Sequence, residues 1–421
     1  MTLLLSAFLV FMAFSGAPLF LVISAAALLC FQSLGIDYSA VIIEMYRMAA
    51  SPILIALLLF AFAGFVLGES QASKRLVRLS TALMGRAPGG LAIVALVTCA
   101  FFTALTGASG VTIVALGGLM LPALISDRYP EKFSLGLLTT CGSLGLLFPP
   151  SLPLIIYAMV ADINISDLFL AGVVPGALML VLLSLYSMVQ GLRCGSAGAH
   201  APFSGREIVS ALRETVWEVL LPVVVLGGIF SGYLALSEAA TVTAVYVLVV
   251  EMIIHKELKL KDLPVTIMKT VMMVGAIVVI LGAALAFNSF LIDQQVPNKV
   301  LEFMRVHVTT KLAFLVILNV FLLAVGCVLN IFSALVIVVP LIVPIAKSYD
   351  VNLLHLGIIF LTNLQIGYSM PPIGMDLLIA SLRFDKSVIY LYVASLPFIA
   401  ILLMTLVLIT FFPSLSLMLV R

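Results

Sequence analysis

Two stretches of this chain gather oxygen-bearing and backbone-distorting residues inside otherwise apolar sequence. The first is TALTGASGVT, Thr103 to Thr112, and the second is GCVLNIFSA, Gly326 to Ala334. Each is followed by a Pro-Pro pair, in GLLFPPSLP (145–153) and in GYSMPPIGM (367–375). Adjacent prolines remove two backbone donors and disfavour helix in the residue before them. The carbonyls freed there, with nearby hydroxyls, are hard oxygen donors suited to a cation such as Na⁺. Half-helix N-termini offer N–H groups to a carboxylate. Binding a small cation and an organic anion together is therefore the chemistry these residue types support. Asp376 follows the second pair and is a costly charge at membrane depth, either lining a pathway or paired in packing. Small and hydroxyl residues at simple helix–helix contacts would give a similar pattern at the tips.

The elements that must position these residues are membrane helices. The 421-residue sequence is 63% hydrophobic and 10% charged, with mean hydropathy +1.30, which no water-soluble domain matches. A net charge of +2 gives no reason to expect a nucleic-acid partner. Five scattered cysteines show neither metal-ligand nor disulfide spacing. Apolar runs of spanning length occur near 3–33, 50–68, 168–192, 219–233, 238–254, 264–290 and 387–413. The first lacks the basic flank of a signal peptide and reads as a retained span. The sizeable polar loops are expected at 193–218 and 255–262. Asp162 and Asp167 belong to a further loop, and Glu238 to a helix start.

Regions 88–161 and 310–383 are copies of one another. Adding 222 to the residue number carries Pro122 onto Pro344, Thr140 onto Thr362 and Gly145 onto Gly367. It also carries Pro149-Pro150 onto Pro371-Pro372 and Pro175 onto Pro397, without a gap. An internal duplication follows. With 88–126 and 310–347 as re-entrant hairpins, fifteen of the 21 Lys and Arg residues fall on one face, which is then cytoplasmic, and six on the other. Amphipathic arms at 69–86 and 291–308 then lie on opposite faces, and the repeat is inverted. Broken helices paired across an inverted repeat point to a midplane site.

Rival chemistries are weaker. GASG, Gly107 to Gly110, fits the G-x-S-G pattern of intramembrane serine proteases. That reaction needs a base, and His200, His255, His307 and His355 all fall in expected loops or at span ends. The chain has no G-x-x-x-x-G-K-[ST] nucleotide loop. A passive channel would more often repeat by subunit symmetry.

GRAPGGLA (85–92), TTCGSLGLLFPPSLPLIIY (139–157), SEAATVTAVY (237–246) and LGIIFLTNLQIGYSMPPIG (356–374) resemble the large membrane subunit of tripartite ATP-independent periplasmic (TRAP) transporters. The similarity runs over nearly the whole chain. It implies an all-α polytopic protein of the bacterial inner membrane, with two re-entrant hairpins, two broken helices and an elevator-type secondary transport cycle. It implies a small four-helix membrane subunit and a periplasmic substrate-binding protein as partners, Na⁺ as coupling ion, and an organic acid such as a C4-dicarboxylate or sialic acid as cargo. With no further helices ahead of it, the chain looks like a separate large subunit rather than a fusion. A stand-alone Na⁺/organic anion symporter of similar fold is the alternative.

By the same resemblance, one Na⁺ site uses Thr103, Thr106, Gly107, Gly145, Phe148 and Pro150. A second uses Gly326, Gly367, Met370 and Ile373. The substrate is expected near Ser109, Gly110, Asn330 and Ser333, with Pro150, Pro372 and Asp376 at the breaks. The chain departs from the family pattern in four places. Asn330 replaces a common acidic residue, Met370 a threonine, Ala235-Leu236-Ser237-Glu238 a Thr-Pro-Thr-Glu, and Asp376 a neutral residue, often Asn. The transport unit is expected over 87–176 and 309–398. Scaffold helices and the arms occupy 1–86 and 177–308, and 399–421 ends the last helix.

Overall fold

In the computed structural model, residues 19–33, 52–84, 89–195, 205–295 and 310–420, with a few isolated positions, are described. Every element among them is helical. In order they are α1 (Leu19–Ser33), α2 (Pro52–Glu69), α3 (Ala72–Met84), α4 (Gly90–Thr106), α5 (Ser109–Ser126), α6 (Glu131–Cys141), α7 (Leu152–Ala161), α8 (Ile165–Cys194), α9 (Gly205–Phe230), α10 (Leu236–Val249), α11 (Leu263–Asp293), α12 (Lys311–Val328), α13 (Ile331–Ser348), α14 (Leu353–Gly367), α15 (Met375–Phe384), α16 (Val388–Phe411) and a last turn, α17 (Ser414–Leu417). Seven helices are long and apolar enough to cross a bilayer, or nine if two bent pairs each count as one span. The second arm at 291–308, and the N-terminal part of the first span, lie largely outside the described residues.

Helix starts follow local chemistry. Asn164 Oδ1 accepts from Ser166 N and Asp167 N at 2.8 and 3.3 Å, and Thr310 Oγ1 accepts from Ala313 N at 3.2 Å. Glu238 Oε2 accepts from Ala235 N at 2.9 Å, closing the first turn of α10. Asp162 ends α7 in the left-handed region, and Asp167 lies in the first turn of α8.

The expected loop at 193–218 is corrected by the structure: α9 begins at Gly205. Its acidic face has partners on α3, which bends 73° away from α2. Arg78 reaches Glu214 at 2.5 Å and Glu207 at 3.2 Å. Arg75 is nearly buried and binds Glu218 (2.5 Å) on α9, Glu251 (2.8 Å) just after α10, and Glu257 (2.5 Å). One guanidinium thus ties the first arm to three scaffold segments. Partial burial pushes the Glu257 carboxyl up, but the Gln71 N–H and Arg75 outweigh it and hold its pKa below the ordinary range. A polar helix end with such partners continues beyond the apolar span.

The rest of the core wraps the two hairpins. Helix α4 packs on α5, α12 on α14, α13 on α7, and α6 on α16. Tyr157, Phe102, Phe169, Phe360 and Phe398 are fully enclosed. His355 sits at the start of α14, as expected for a span end, but it is buried, with Nδ1 3.1 Å from Ser416 Oγ.

Candidate functional site

The first hairpin turns at Gly107, whose φ of +66° suits glycine. Its N–H bonds Thr103 O at 2.7 Å. Ala108 is extended, and α5 starts at Ser109 with no side-chain cap. Thr103 Oγ1 donates to Gly142 O at 2.7 Å and lies 2.6 Å from Thr112 Oγ1. A hydroxyl has one proton, so Thr112 donates to Thr103. The hairpin is thereby pinned to the chain entering the first break.

That break runs through a 3₁₀ turn, Leu144–Leu147, then extended Phe148 and the prolines, before α7. Phe148 N donates to Gly145 O at 3.0 Å. A Cβ on Gly145 would lie 2.2 Å from Ala100 O and 2.5 Å from Ala104 N, and one on Gly107 would lie 2.6 Å from Leu152 Cγ. Tip and break therefore touch directly.

The second hairpin turns through extended Leu329 and Asn330. Asn330 Oδ1 caps α13 by accepting from Phe332 N at 3.0 Å, and the Tyr368 hydroxyl accepts from Ile331 N. In the second break, Ile373 N and Gly374 N both donate to Cys327 O at 3.2 Å, and Met370 N donates to Gly367 O at 3.0 Å. A Cβ on Gly367 would lie 2.6–2.7 Å from backbone atoms of Gly326. Gly145 and Gly367 differ by 222 in number, as do Ala104 and Gly326. The repeat seen in the sequence is thus also a repeat of contacts. Both Pro-Pro peptide bonds are cis.

A cavity of about 940 Å³ separates the tips from two helices outside the repeats. Gly107, Ala108, Ser109 and Gly110 line it from one tip, and Asn330, Ile331, Phe332 and Ser333 from the other. Opposite stand Phe65, Gly68 and Glu69 of α2 and Lys269, Met273 and Ile277 of α11. The structure brings Gly107, Ser109, Gly110, Asn330 and Ser333 together on this wall. Thr103, Thr106, Gly145, Phe148 and Pro150, and Gly326 of α12 with Gly367, Met370, Pro372 and Ile373 of the second break, are absent from the lining. Asp376 also stands apart from it, fully buried, with Ser109 Oγ donating to Oδ1 at 2.7 Å.

Sequence reasoning passed over several residues. Lys269 and Glu69 form an ion pair at the cavity wall; the signal was a lone lysine in an apolar run. Tyr368, Ser151 and Ser369 flank the prolines. Buried oxygens without hydrogen-bond partners include Thr106 Oγ1, Ser151 Oγ and Ser369 Oγ. Buried hydroxyls are ordinarily paired, so oxygens left bare beside both breaks fit a cation as the missing partner. Ser369 offers the second break a hydroxyl although Met370 has none.

The sequence matches the profile of the tripartite ATP-independent periplasmic transporter DctM component over residues 3–415. The chain belongs to the DctM family. Among DctM relatives, it is 32% identical over 406 residues to the isethionate TRAP transporter permease protein DctMQ of Oleidesulfovibrio alaskensis, covering 95% of this chain and 63% of that one. The chain therefore spans less than two thirds of that relative's length. It is 31% identical over 389 residues to the C4-dicarboxylate TRAP transporter large permease protein DctM of Rhodobacter capsulatus, covering 89% and 87%. The crystal structure of the Alcanivorax borkumensis YdaH transporter superposes with TM-score 0.65 at 12% identity, covering 90% and 88%, a likeness of fold. As a DctM-family permease, this chain is a multi-pass protein of the bacterial inner membrane and not an enzyme.

Proposed function

We propose that this permease imports an organic acid, driven by Na⁺, as the large subunit of a tripartite system. The observation that carries the reading is the cavity bounded by both hairpin tips on one side and by α2 and α11 on the other. A midplane chamber between a paired-repeat unit and the remaining helices suits alternating access. Relatives named for C4-dicarboxylates, isethionate, ectoine and sialic acid support a small solute bearing an acid group as cargo.

The tips divide the work. Uncapped N–H groups at Ser109, Gly110 and Val111, with the positive end of α5, would hold the carboxylate. Thr106 and carbonyls of the first break would hold one Na⁺, and Ser369 with carbonyls of the second break another. Filling these sites would order tip against break, after which the repeats, lying inverted in the membrane, would move as an elevator against α2 and α11. Each inward Na⁺ contributes about 2.3 kcal/mol per 100 mV of membrane potential, so two ions per monoanion suffice for strong accumulation.

The test is uptake of labelled organic acids by proteoliposomes containing this chain and its small membrane subunit, with the periplasmic binding protein supplied outside. Uptake that needs both an inward Na⁺ gradient and the binding protein is expected. Uptake needing Na⁺ alone would replace the tripartite reading with a stand-alone symporter, and uptake indifferent to Na⁺ would overturn the coupling.

A further inference from the structure

Asp376 is fully buried and lies between the two halves of the repeat. It occupies the first turn of α15, after Gly374 at φ +51°, and its N–H bonds Tyr368 O at 3.1 Å. One carboxylate oxygen receives Ser109 Oγ, from the first hairpin tip, at 2.7 Å. The other, Oδ2, has no hydrogen-bond partner. Ser143, at the approach to the first break, is the second hydroxyl that this carboxylate feels, while its Oγ donates to Thr140 O at 3.5 Å.

No ion pair reaches this carboxylate among the described residues. The basic side chain on its own helix, Arg383, is turned to Val114 O at 3.0 Å. Lys386 pairs with Glu131, and Lys269 with Glu69. A single serine donor and the partial charge of a helix N-terminus do not compensate a desolvated carboxylate. The ionised form of Asp376 therefore lacks a counter-charge.

We propose that Asp376 forms a further cation site, separate from the two at the breaks, with Na⁺ held between Oδ2 and the hydroxyls of Ser109 and Ser143. These are hard oxygens contributed by both halves, as an alkali cation requires. Such an ion would link the first tip to the second break, so both halves would have to be loaded together. The choice of Na⁺ rests on the coupling proposed above; the need for a cation rests on the orphaned carboxylate.

The test is equilibrium binding of ²²Na⁺ to the purified complex of this chain with its small membrane subunit, at fixed ionic strength in choline chloride. Asp376→Asn keeps the shape and removes the charge. It is expected to lower the Na⁺ bound at saturation by one ion per chain, with an unchanged melting temperature in choline. The double variant Ser109→Ala, Ser143→Ala keeps the carboxylate and is expected to weaken one Na⁺ class about tenfold. Equal stoichiometry and affinity in wild type and variants would overturn the site while leaving the break sites standing. Absence of Na⁺ binding to the wild type would overturn both this site and the coupling.

Discussion

At the first hairpin tip a left-handed glycine turns the chain and α5 begins with its N–H groups uncapped. At the second, two extended residues make the turn, Asn330 caps Phe332, and Tyr368 takes the N–H of Ile331. Both tips face the same cavity, and both press a glycine of the following break against a hairpin arm. The shared part is steric and holds the architecture. The differing part is polar: the N–H groups at the start of α5 are uncapped, whereas the corresponding donors of the second tip are already used, and this difference is what the proposed anion position at the first tip rests on. A duplicated fold thus supplies two positions, and a few polar substitutions make them chemically different.

The most severe way to break the comparison is at the shared glycines. Gly145→Leu and Gly367→Leu would each force backbone apart, at a cost of about 3 kcal/mol or more. Uptake should fall over a hundredfold in both, read in proteoliposomes alongside melting temperature. Tolerance at one site alone would end the correspondence of contacts. Next comes the bare hydroxyl. Thr106→Val should raise the Na⁺ concentration for half-maximal uptake roughly tenfold, about 1.4 kcal/mol. Val328→Ala, at the matching place on the second hairpin, should leave it unchanged.

Exchanging the caps sharpens the contrast further. Asn330→Ala should cost about 1 kcal/mol of stability, seen as a lower melting temperature. Ala108→Asn should stabilise the first tip yet raise the substrate KM several-fold, because the new cap would occupy the donors proposed for the carboxylate. A KM unchanged by Ala108→Asn would remove the anion from the first tip. The smallest effect is expected where the halves meet at the surface. Lys386 pairs with Glu131 at 2.8 Å, both side chains partly exposed, and such pairs contribute little. Lys386→Ala should leave melting temperature and uptake within measurement error, whereas Asp376→Asn at the buried junction should lower Na⁺-driven uptake.

Much of this was legible in the residue order. The apolar runs fix helices because lipid leaves backbone groups no other partner, and α4–α5 and α12–α13 fall where hairpins were expected. The breaks announce themselves through proline. The helix over 205–218 was not legible: its polarity reads as loop until Arg75 and Arg78, more than a hundred residues earlier, supply the countercharges. For the same reason the wall of the cavity mixed expected residues, such as Ser109 and Ser333, with the unforeseen Lys269 and Glu69.

Sequence by itself determined that this is a membrane protein, that it contains a repeat, and where each repeat interrupts its helix. Those are consequences of hydrophobicity and of proline's missing N–H, which act over a few residues. Tertiary structure alone decided which oxygens remain unpaired. Pairing depends on what folds against each group: Thr103 was matched by Gly142 O and Ser109 by Asp376, whereas Thr106, Ser369 and the second oxygen of Asp376 were left without a partner.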